Sequence, residues 1–228
     1  MIVKNIKKFF IGLVMLIIFA AILGTVFSPV FGGKNGLEFM DNLYNSISKG
    51  SAYYIPKVRE DIKPFKGKTV DVTLKLHSAE QAEKIKLLLE KTGTVEGSGE
   101  TFQFKGDLWQ MLNNCIEDAD KMYHNDAKAV EAKYGYGAKR VLVNWDEAFH
   151  SMDKDLKKQK KFKEAAILGK VLEKSVEPSY NYFTIEPEKI SNKIGIVALS
   201  LVFYVFYTVW FGFGIMLLFE GLGLNFDH

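Results

Sequence analysis

Residues 194–219 read IGIVALSLVFYVFYTVWFGFGIMLLF, a run of 26 residues without one charged side chain. As an α-helix with a rise of about 1.5 Å per residue, the run would extend about 39 Å, more than the roughly 30 Å hydrocarbon core of a bilayer. Only helices and closed barrels satisfy their backbone polar groups in lipid, and this run lacks the alternation of a barrel strand. The sequence therefore predicts a transmembrane helix over residues 193–219.

A second apolar run occupies residues 9–30 and follows a short basic segment. The run is longer than the apolar region of a secretory signal peptide, and Pro29 would obstruct cleavage after Ser28. We therefore predict that this run is an uncleaved signal anchor, which gives the chain a first transmembrane helix.

The lysines of the two flanks predict the orientation of the chain. Three lysines among residues 1–8 place this segment in the cytoplasm, because cytoplasmic flanks carry the basic excess. With two spans, residues 31–192 are then an extracytoplasmic domain, periplasmic in a bacterial cell, and residues 220–228 are a short cytoplasmic tail. One feature favours the opposite orientation, since the tail has neither lysine nor arginine.

The domain between the spans is long enough to have its own hydrophobic core. Its clearest strand is TVDVTLKLH at residues 69–77, in which apolar and polar side chains alternate. Ser78 and Gln81 then have the spacing of a capping box, and Gly93 is predicted to end the helix that they begin. Two short strands complete a predicted β-α-β-β unit over residues 68–106.

Residues 107–176 have a helical pattern and are predicted to form a helical hairpin that turns at residues 135–137. Its second helix has a seam of apolar residues that step by three or four: Leu142, Trp145, Phe149, Met152 and Leu156. The predicted fold class is therefore an α+β membrane protein. Two transmembrane helices flank one mostly helical extracytoplasmic domain that contains a small β-α-β-β sheet.

Histidine and cysteine positions limit the cofactors that this chain can carry alone. The four histidines all lie outside the predicted spans, which excludes a bis-histidine haem between the chain's own transmembrane helices: His77, His124, His150 and His228. No C-x-x-C-H motif occurs, and the single Cys115 cannot provide an iron–sulfur cluster or an internal disulfide. We predict no cofactor, neither haem nor iron–sulfur centre, for this chain alone.

Four residues form the candidate metal site. Glu147 and His150 make an E-x-x-H pair on one helical face, and Asp120 and His124 are spaced i, i+4 on the preceding helix. Helix bundles hold metals with such sets. The alternative is that both pairs face solvent, because one E-x-x-H arises readily by chance in a chain that is 25% charged.

Aromatic residues crowd the middle of the second span, whereas aromatic belts normally lie at membrane interfaces. The candidate helix-packing interface consists of three residues with polar hydrogens and two glycines that permit close approach: Tyr204, Tyr207, Trp210, Gly212 and Gly214. We expect this surface to pack against other membrane subunits. A groove for a quinone, pigment or lipid and an ordinary lipid-facing surface are the alternatives.

The densest charge run is KKQKKFK at residues 157–163. We interpret it first as a solvated helix face, with contact with anionic lipid head groups or an acidic partner as the functional alternative. Nucleic acid is not an expected partner, because the net charge is only +3 and two arginines are present.

No motif fixes a biochemical activity, and no enzyme is predicted. The chain lacks a phosphate-binding loop, a G-x-S-x-G elbow and a Cys–His signature. The expected function is a non-catalytic accessory or structural subunit of a larger membrane complex, respiratory or another oxidoreductase, whose outer domain docks on partner subunits. The alternatives are a membrane-anchored sensor that binds a metal or ligand and a homo-oligomeric protein like the polysaccharide chain-length regulators.

Overall fold

The computed structural model describes residues 3–224 and is mostly helical in that range, with one three-stranded antiparallel sheet. The chain divides into two compact units. The helical unit contains the residues up to Ile47 and those from Pro187 onward, and the α+β unit is Ser48–Glu186. The elements are, in chain order, α1 (Ile6–Phe27), α2 (Gly36–Ser51), α3 (Ile55–Ile62), β1 (Thr69–Lys75), α4 (Ala79–Leu89), β2 (Gly93–Glu96), β3 (Thr101–Asp107), α5 (Leu108–Tyr123), α6 (Ala127–Tyr134), α7 (Ala138–Lys158), α8 (Phe162–Val171), α9 (Glu177–Asn181) and α10 (Ile190–Gly221).

Two helices of the helical unit, α1 and α10, are long and apolar enough to cross a membrane. Both helices overlap the predicted spans but differ from them at the ends. The first, α1, begins at Ile6 and ends at Phe27, whereas the prediction was residues 9–30. The second, α10, extends beyond the predicted residues 193–219 at both ends. Flanking lysines continue a helix as readily as apolar residues do, so hydropathy marks the apolar stretch more closely than the helix ends.

The predicted β-α-β-β unit is confirmed as a sheet of order β1-β3-β2. Both β1 and β2 run antiparallel to β3, with Val72 and Val95 each opposite Phe104. The first and second strands are therefore parallel to each other but separated by the third. Buried apolar side chains alternate with polar ones along β1 and β3, so one face of the sheet joins the core.

Side chains of α7 cover the outer edge of β1. The amide of Thr73 donates to Asp155 Oδ2 at 3.1 Å, and the amide of Lys75 donates to Ser151 Oγ at 2.8 Å. Gln159 Nε2 donates to the carbonyl of Asp71 at 2.8 Å. An edge strand otherwise offers free backbone groups to other chains, and here a helix occupies them.

The helical hairpin over residues 107–176 is more broken than predicted. Asn125 and Lys160 both have positive φ, at 63° and 60°, and each ends a helix that the sequence pattern continues. The hairpin therefore consists of four helices instead of two, α5 to α8. Apolar periodicity has a gap near residues 125–126 and slips in register over residues 157–163, and it resumes after each turn because the helices on either side contribute to one core.

Two local predictions about α4 need correction. One half of the predicted capping box is confirmed, since Ser78 Oγ accepts a hydrogen bond from Gln81 N at 3.2 Å. The side chain of Gln81 does not complete the box, because its buried Nε2 has no hydrogen-bond partner among the described residues. Gly93 does not end the helix and is instead the first residue of β2. A Cβ there would lie 2.5 Å from the carbonyl oxygen of Lys105, so glycine is required by the close approach of β3.

The helical segment predicted to end at residue 176 continues beyond it. A π-helical turn over Leu172–Val176 leads directly into α9, in which Pro178 occupies the first turn. Proline lacks an amide hydrogen, and the first turn of a helix needs none there.

Candidate functional site

In the helical unit, α1 and α10 pack antiparallel along their lengths through glycines. A Cβ on Gly12 would lie 2.6 Å from the backbone nitrogen of Leu218, and a Cβ on Gly221 would lie 2.5 Å from the backbone nitrogen of Phe9. The two backbones therefore approach too closely for any larger residue. Small residues at such crossings are typical of helix packing in membranes.

Aromatic side chains of α10 extend the same contact. The ring of Tyr207 stacks on Phe19 with centroids 4.2 Å apart, and Phe211 lies 4.5 Å from the same ring. Trp210 donates from Nε1 to the main-chain oxygen of Met15 at 3.0 Å. The indole hydrogen is thus satisfied inside the chain, which matters where no water is available.

The five residues of the predicted helix-packing interface therefore fall into two groups. Tyr207, Trp210 and Gly214 contact α1 of the same chain, with a Cβ on Gly214 only 3.1 Å from Leu16. Tyr204 is 67% exposed, and a Cβ on Gly212 would have nothing of the described chain within 4 Å. Only this second group remains open to another subunit.

Sequence reasoning missed Gly12 and Gly221, on which the packing of α1 against α10 depends. A signal was present, because Gly214 and Gly221 are seven residues apart and thus lie on the same helical face. The same contact ends in an ion pair between Lys8 Nζ and Glu220 Oε2 at 2.6 Å. This pair places opposite charges at the ends of the two helices that meet there.

In the α+β unit, Asp120 of the predicted metal site lies in the last turn of α5 and His124 directly follows that helix, but protein groups engage the Asp120 carboxylate. Tyr53 donates its hydroxyl to Asp120 Oδ1 at 2.8 Å, and Arg59 donates to Oδ2 at 3.3 Å. Burial has the larger effect and the hydrogen bond to Asp120 the smaller, and together they raise the pKa of Tyr53 to about 12. His124 Nδ1 lies 2.9 Å from the carbonyl of Asp120 and carries the hydrogen, because a carbonyl only accepts.

The second pair of predicted ligands lies on α7. His150 is exposed and places its Nδ1 2.9 Å from the carbonyl of Asp146, one helical turn earlier, in the same way as His124. Among residues 3–224, no three His, Cys, Asp or Glu side chains are grouped so that they could hold a metal ion. The structure thus does not gather the four predicted ligands, Asp120, His124, Glu147 and His150, into one metal site.

A buried lysine that the sequence did not single out joins three segments of the α+β unit. Lys49 is 2% exposed, and its Nζ donates to Asn125 Oδ1 and to the carbonyls of Tyr182 and Ile185 at 3.1, 3.1 and 2.6 Å. The amide of Thr184 donates to the same Asn125 oxygen at 2.8 Å. Burial lowers the pKa of Lys49, and the charge of Glu186 acts in the opposite direction.

A buried carboxylate organises the other polar network of this unit. Asp118 is fully buried and accepts from Lys133 Nζ at 2.6 Å, from the Tyr134 hydroxyl at 2.6 Å and from Trp145 Nε1 at 2.9 Å. Burial and the adjacent carboxylate both raise the pKa of Tyr134. Burial likewise raises the pKa of the Cys115 thiol, which keeps it protonated and unreactive.

Comparisons of this chain with protein-family models, with curated proteins and with solved structures find no match. Its function is therefore inferred from the side chains and surfaces of the chain itself. Three features stand out: the open flank of α10, the two internal polar networks and the basic turn between α7 and α8.

Proposed function

We propose that this chain is a two-span membrane protein and serves as a non-catalytic accessory or structural subunit of a larger membrane complex. In this proposal α1 and α10 are the transmembrane helices, and the α+β unit lies outside the cytoplasm and docks on partner subunits. A helix of another subunit packs on the flank of α10 that contains Tyr204 and Gly212.

The observation that carries the proposal is the hydroxyl of Tyr204. This residue lies near the midpoint of α10 and is 67% exposed, and its hydroxyl makes no hydrogen bond within residues 3–224. In a bilayer core a hydroxyl without a partner is unfavourable, and a second helix can supply the acceptor. Gly212 adds an open position on the same helix where another backbone can approach closely.

The internal networks of the α+β unit support a structural role. Lys49 and Asp118 are its most buried charged groups, and protein donors and acceptors from several segments satisfy both. Networks of this kind hold a domain in one conformation, which suits a surface that docks on other proteins.

The test is extraction of the tagged chain from its native membrane in a mild detergent, followed by native mass spectrometry and identification of co-purifying chains. We expect a stoichiometric complex with at least one other subunit. Tyr204→Phe should lower the yield of that subunit about threefold to fivefold, because a hydrogen bond between membrane helices contributes about 0.6 to 1 kcal/mol. Gly212→Leu should abolish the association by filling the open position.

Gly195→Leu is the matched control, because Gly195 also lies on α10 with nothing of the described chain within 4 Å of a Cβ. It should leave the complex intact. A chain that is soluble without detergent, or monomeric in every mild detergent, would contradict the proposal. A ring of identical chains would instead favour a protein like the polysaccharide chain-length regulators.

The orientation has its own test. A cysteine introduced in place of the exposed Lys128 reports the side of the membrane on which the α+β unit lies, because the native Cys115 is fully buried. A membrane-impermeant maleimide should label this variant in intact cells. Labelling only after the membrane is opened would reverse the proposed orientation.

A further inference from the structure

The turn between α7 and α8 carries the densest positive charge of the chain. We call residues 157–163 the basic turn. Its sequence is KKQKKFK, α7 ends at Lys158, and α8 begins at Phe162. Lys160 has φ of 60°, so the chain reverses sharply between the two helices.

Most of this charge is not neutralised by the chain itself. Lys157 pairs with Asp153 at 2.7 Å, whereas Lys158, Lys160, Lys161 and Lys163 form no ion pair with any carboxylate of residues 3–224. The basic turn thus holds four unpaired ammonium groups within six residues.

A groove of about 340 Å³ adjoins the basic turn through Lys158 and adds further cations. Lys75 and Lys154 line this groove, and neither forms an ion pair within the described part of the chain. The one carboxylate in the groove, Asp155, is engaged by the amide of Thr73 and by Gln159. The positive surface therefore extends from the turn to the end of β1.

An aromatic ring lies uncovered among these lysines. Phe162 is 62% exposed, the highest value for any large hydrophobic residue of Ser48–Glu186. Burying this ring would be favourable, and no residue of the α+β unit does so. A polar ligand alone would leave it in water.

We propose that the basic turn binds the anionic head groups of a phospholipid bilayer and that Phe162 enters the interface beside them. Lysines with long flexible stems adsorb on a negative lipid surface without fixed geometry, whereas a site for one phosphate group typically uses arginine forks. An aromatic ring flanked by lysines is the combination that interfacial segments use, since charge attracts and the apolar ring anchors. An acidic polysaccharide or a duplex nucleic acid would match the charge but leave the ring in water, whereas a single-stranded nucleic acid can stack a base on it and is therefore an outcome of the test.

The experiment uses the full chain in nanodiscs, with an environment-sensitive dye on Lys160→Cys. The discs contain either phosphatidylcholine alone or phosphatidylcholine with about 30% phosphatidylglycerol, a content chosen in the range where lysines adsorb on anionic membranes. The discs with phosphatidylglycerol test contact with the membrane in which the chain itself is embedded. Vesicles of either composition, added to discs of phosphatidylcholine alone, test contact with a second membrane. We expect a blue shift of the dye with phosphatidylglycerol in at least one arrangement and none with phosphatidylcholine.

Variants assign the effect to residues. Lys158→Gln/Lys161→Gln/Lys163→Gln should raise the lipid concentration for half-maximal shift about a hundredfold, because each lysine contributes about fivefold to adsorption on an anionic membrane. Phe162→Ala should reduce the shift as well. The matched controls are Lys57→Gln/Lys91→Gln/Lys128→Gln, which removes three exposed lysines elsewhere, and Leu87→Ala, which removes an exposed apolar side chain from α4.

Three results would overturn the proposal. The first is a dye spectrum that is the same with both lipids in both arrangements. The second is a loss of the shift in the control variants equal to that in the basic-turn variants. The third is a shift of the dye with heparin or single-stranded RNA but not with phosphatidylglycerol. Failure of the chain to enter nanodiscs would contradict the proposed membrane insertion instead. A chain that is soluble without lipid is then tested directly with the same vesicles.

Discussion

Trp210 and Met15, from opposite ends of the chain, are joined by a hydrogen bond of 3.0 Å between the indole Nε1 and the main-chain oxygen. The indole donor of α10 is thus paired with a carbonyl of α1 that already belongs to a helix. Around this bond, glycines bring the two backbones close and aromatic rings stack. The packing of the two apolar helices is therefore specific to particular residues, and it can be tested residue by residue.

Gly12 should tolerate no side chain. Gly12→Leu would place a Cβ 2.6 Å from the backbone nitrogen of Leu218, and backbone atoms cannot move aside as a flexible side chain can. We expect a destabilisation of about 1 to 3 kcal/mol, or loss of the packing of α1 on α10, measured as the thermal unfolding midpoint in detergent. Gly24→Leu is the control on the same helix, where a Cβ meets nothing of the described chain within 4 Å. Equal midpoints for the two variants would contradict the close approach.

Asp118→Ala should be the most destabilising single change in the α+β unit. It leaves the ammonium of Lys133 and the buried donors of Tyr134 and Trp145 without their acceptor. We expect a loss of about 3 to 5 kcal/mol in the free energy of unfolding, measured by denaturant titration of the full chain in detergent. Asp153→Ala removes a half-buried carboxylate and its ion pair with the exposed Lys157, and should cost less than about 1 kcal/mol. A small effect at Asp118 would show that the network is not needed for stability.

Lys49→Met should loosen the turn that contains Thr184. The change removes three hydrogen bonds, so among the described residues the carbonyl of Tyr182 keeps only the amide of Ile185 as donor and the carbonyl of Ile185 keeps only Asn125 Nδ2. We expect the amides of Thr184 and Ile185 to exchange hydrogen at least about tenfold faster, because a hydrogen bond from a charged donor contributes about 1.5 to 3 kcal/mol. Lys57→Met, on the exposed surface of α3, is the control and should leave their exchange unchanged. Unchanged protection in Lys49→Met would mean that other contacts hold the turn.

The protein should lose stability in alkali, and Tyr123 should contribute to this loss beside Tyr53 and Tyr134, whose pKa values are also raised. Burial raises the pKa of Tyr123 to about 12, and its hydroxyl donates to the carbonyl of Lys49. Below pH 10 the hydroxyl is protonated in both states, so its contribution is fully present. Between about pH 10 and 12 the unfolded chain releases the proton first, which lowers the free energy of unfolding by about 2 to 3 kcal/mol in total.

Unfolding measured at a series of pH values should show this drop, and Tyr123→Phe should reduce it. The lowered pKa of Lys49 acts in the opposite direction, but only up to its ordinary value of 10.5, so the fall is best measured above that pH. Tyr180→Phe, at an exposed position, should keep the wild-type drop. A profile in which Tyr123→Phe loses as much stability as the parent would assign the effect to other groups.

Much of the fold could be predicted from the sequence, because the signals were local. The apolar run at residues 194–219, the alternation over residues 69–77 and the cap at Ser78 each reflect the immediate physical environment of those residues. The helix breaks at Asn125 and Lys160 left only a gap in the apolar spacing near residues 125–126 and a slip of register over residues 157–163, which did not fix the helix ends. Each depends on a positive φ, which asparagine tolerates but lysine does not favour, and at Asn125 the conformation is held by bonds to Lys49, Thr184 and Ile185, distant in sequence.

The candidate sites show the same division. Spacing placed Asp120 with His124 and Glu147 with His150, and the structure keeps the second pair on α7 but ends α5 at Tyr123, one residue before His124. Which groups surround a carboxylate cannot be read from spacing, and Tyr53 and Arg59 reach Asp120 from more than 60 residues away. Tyr204 and Tyr207 likewise look equivalent in sequence, three residues apart, and only the position of α1 distinguishes them.

The sequence by itself determined where apolar surface is concentrated, which segments alternate as strands or repeat as helices, and where the lysines cluster. These follow from side-chain chemistry and the two backbone periods, which act over a few residues. The tertiary structure decided which face of α10 is covered by α1, that Asp118 and Lys49 are buried and bonded, and that Phe162 stays exposed. Those outcomes depend on contacts between segments distant in the chain, whose free energies no local pattern encodes.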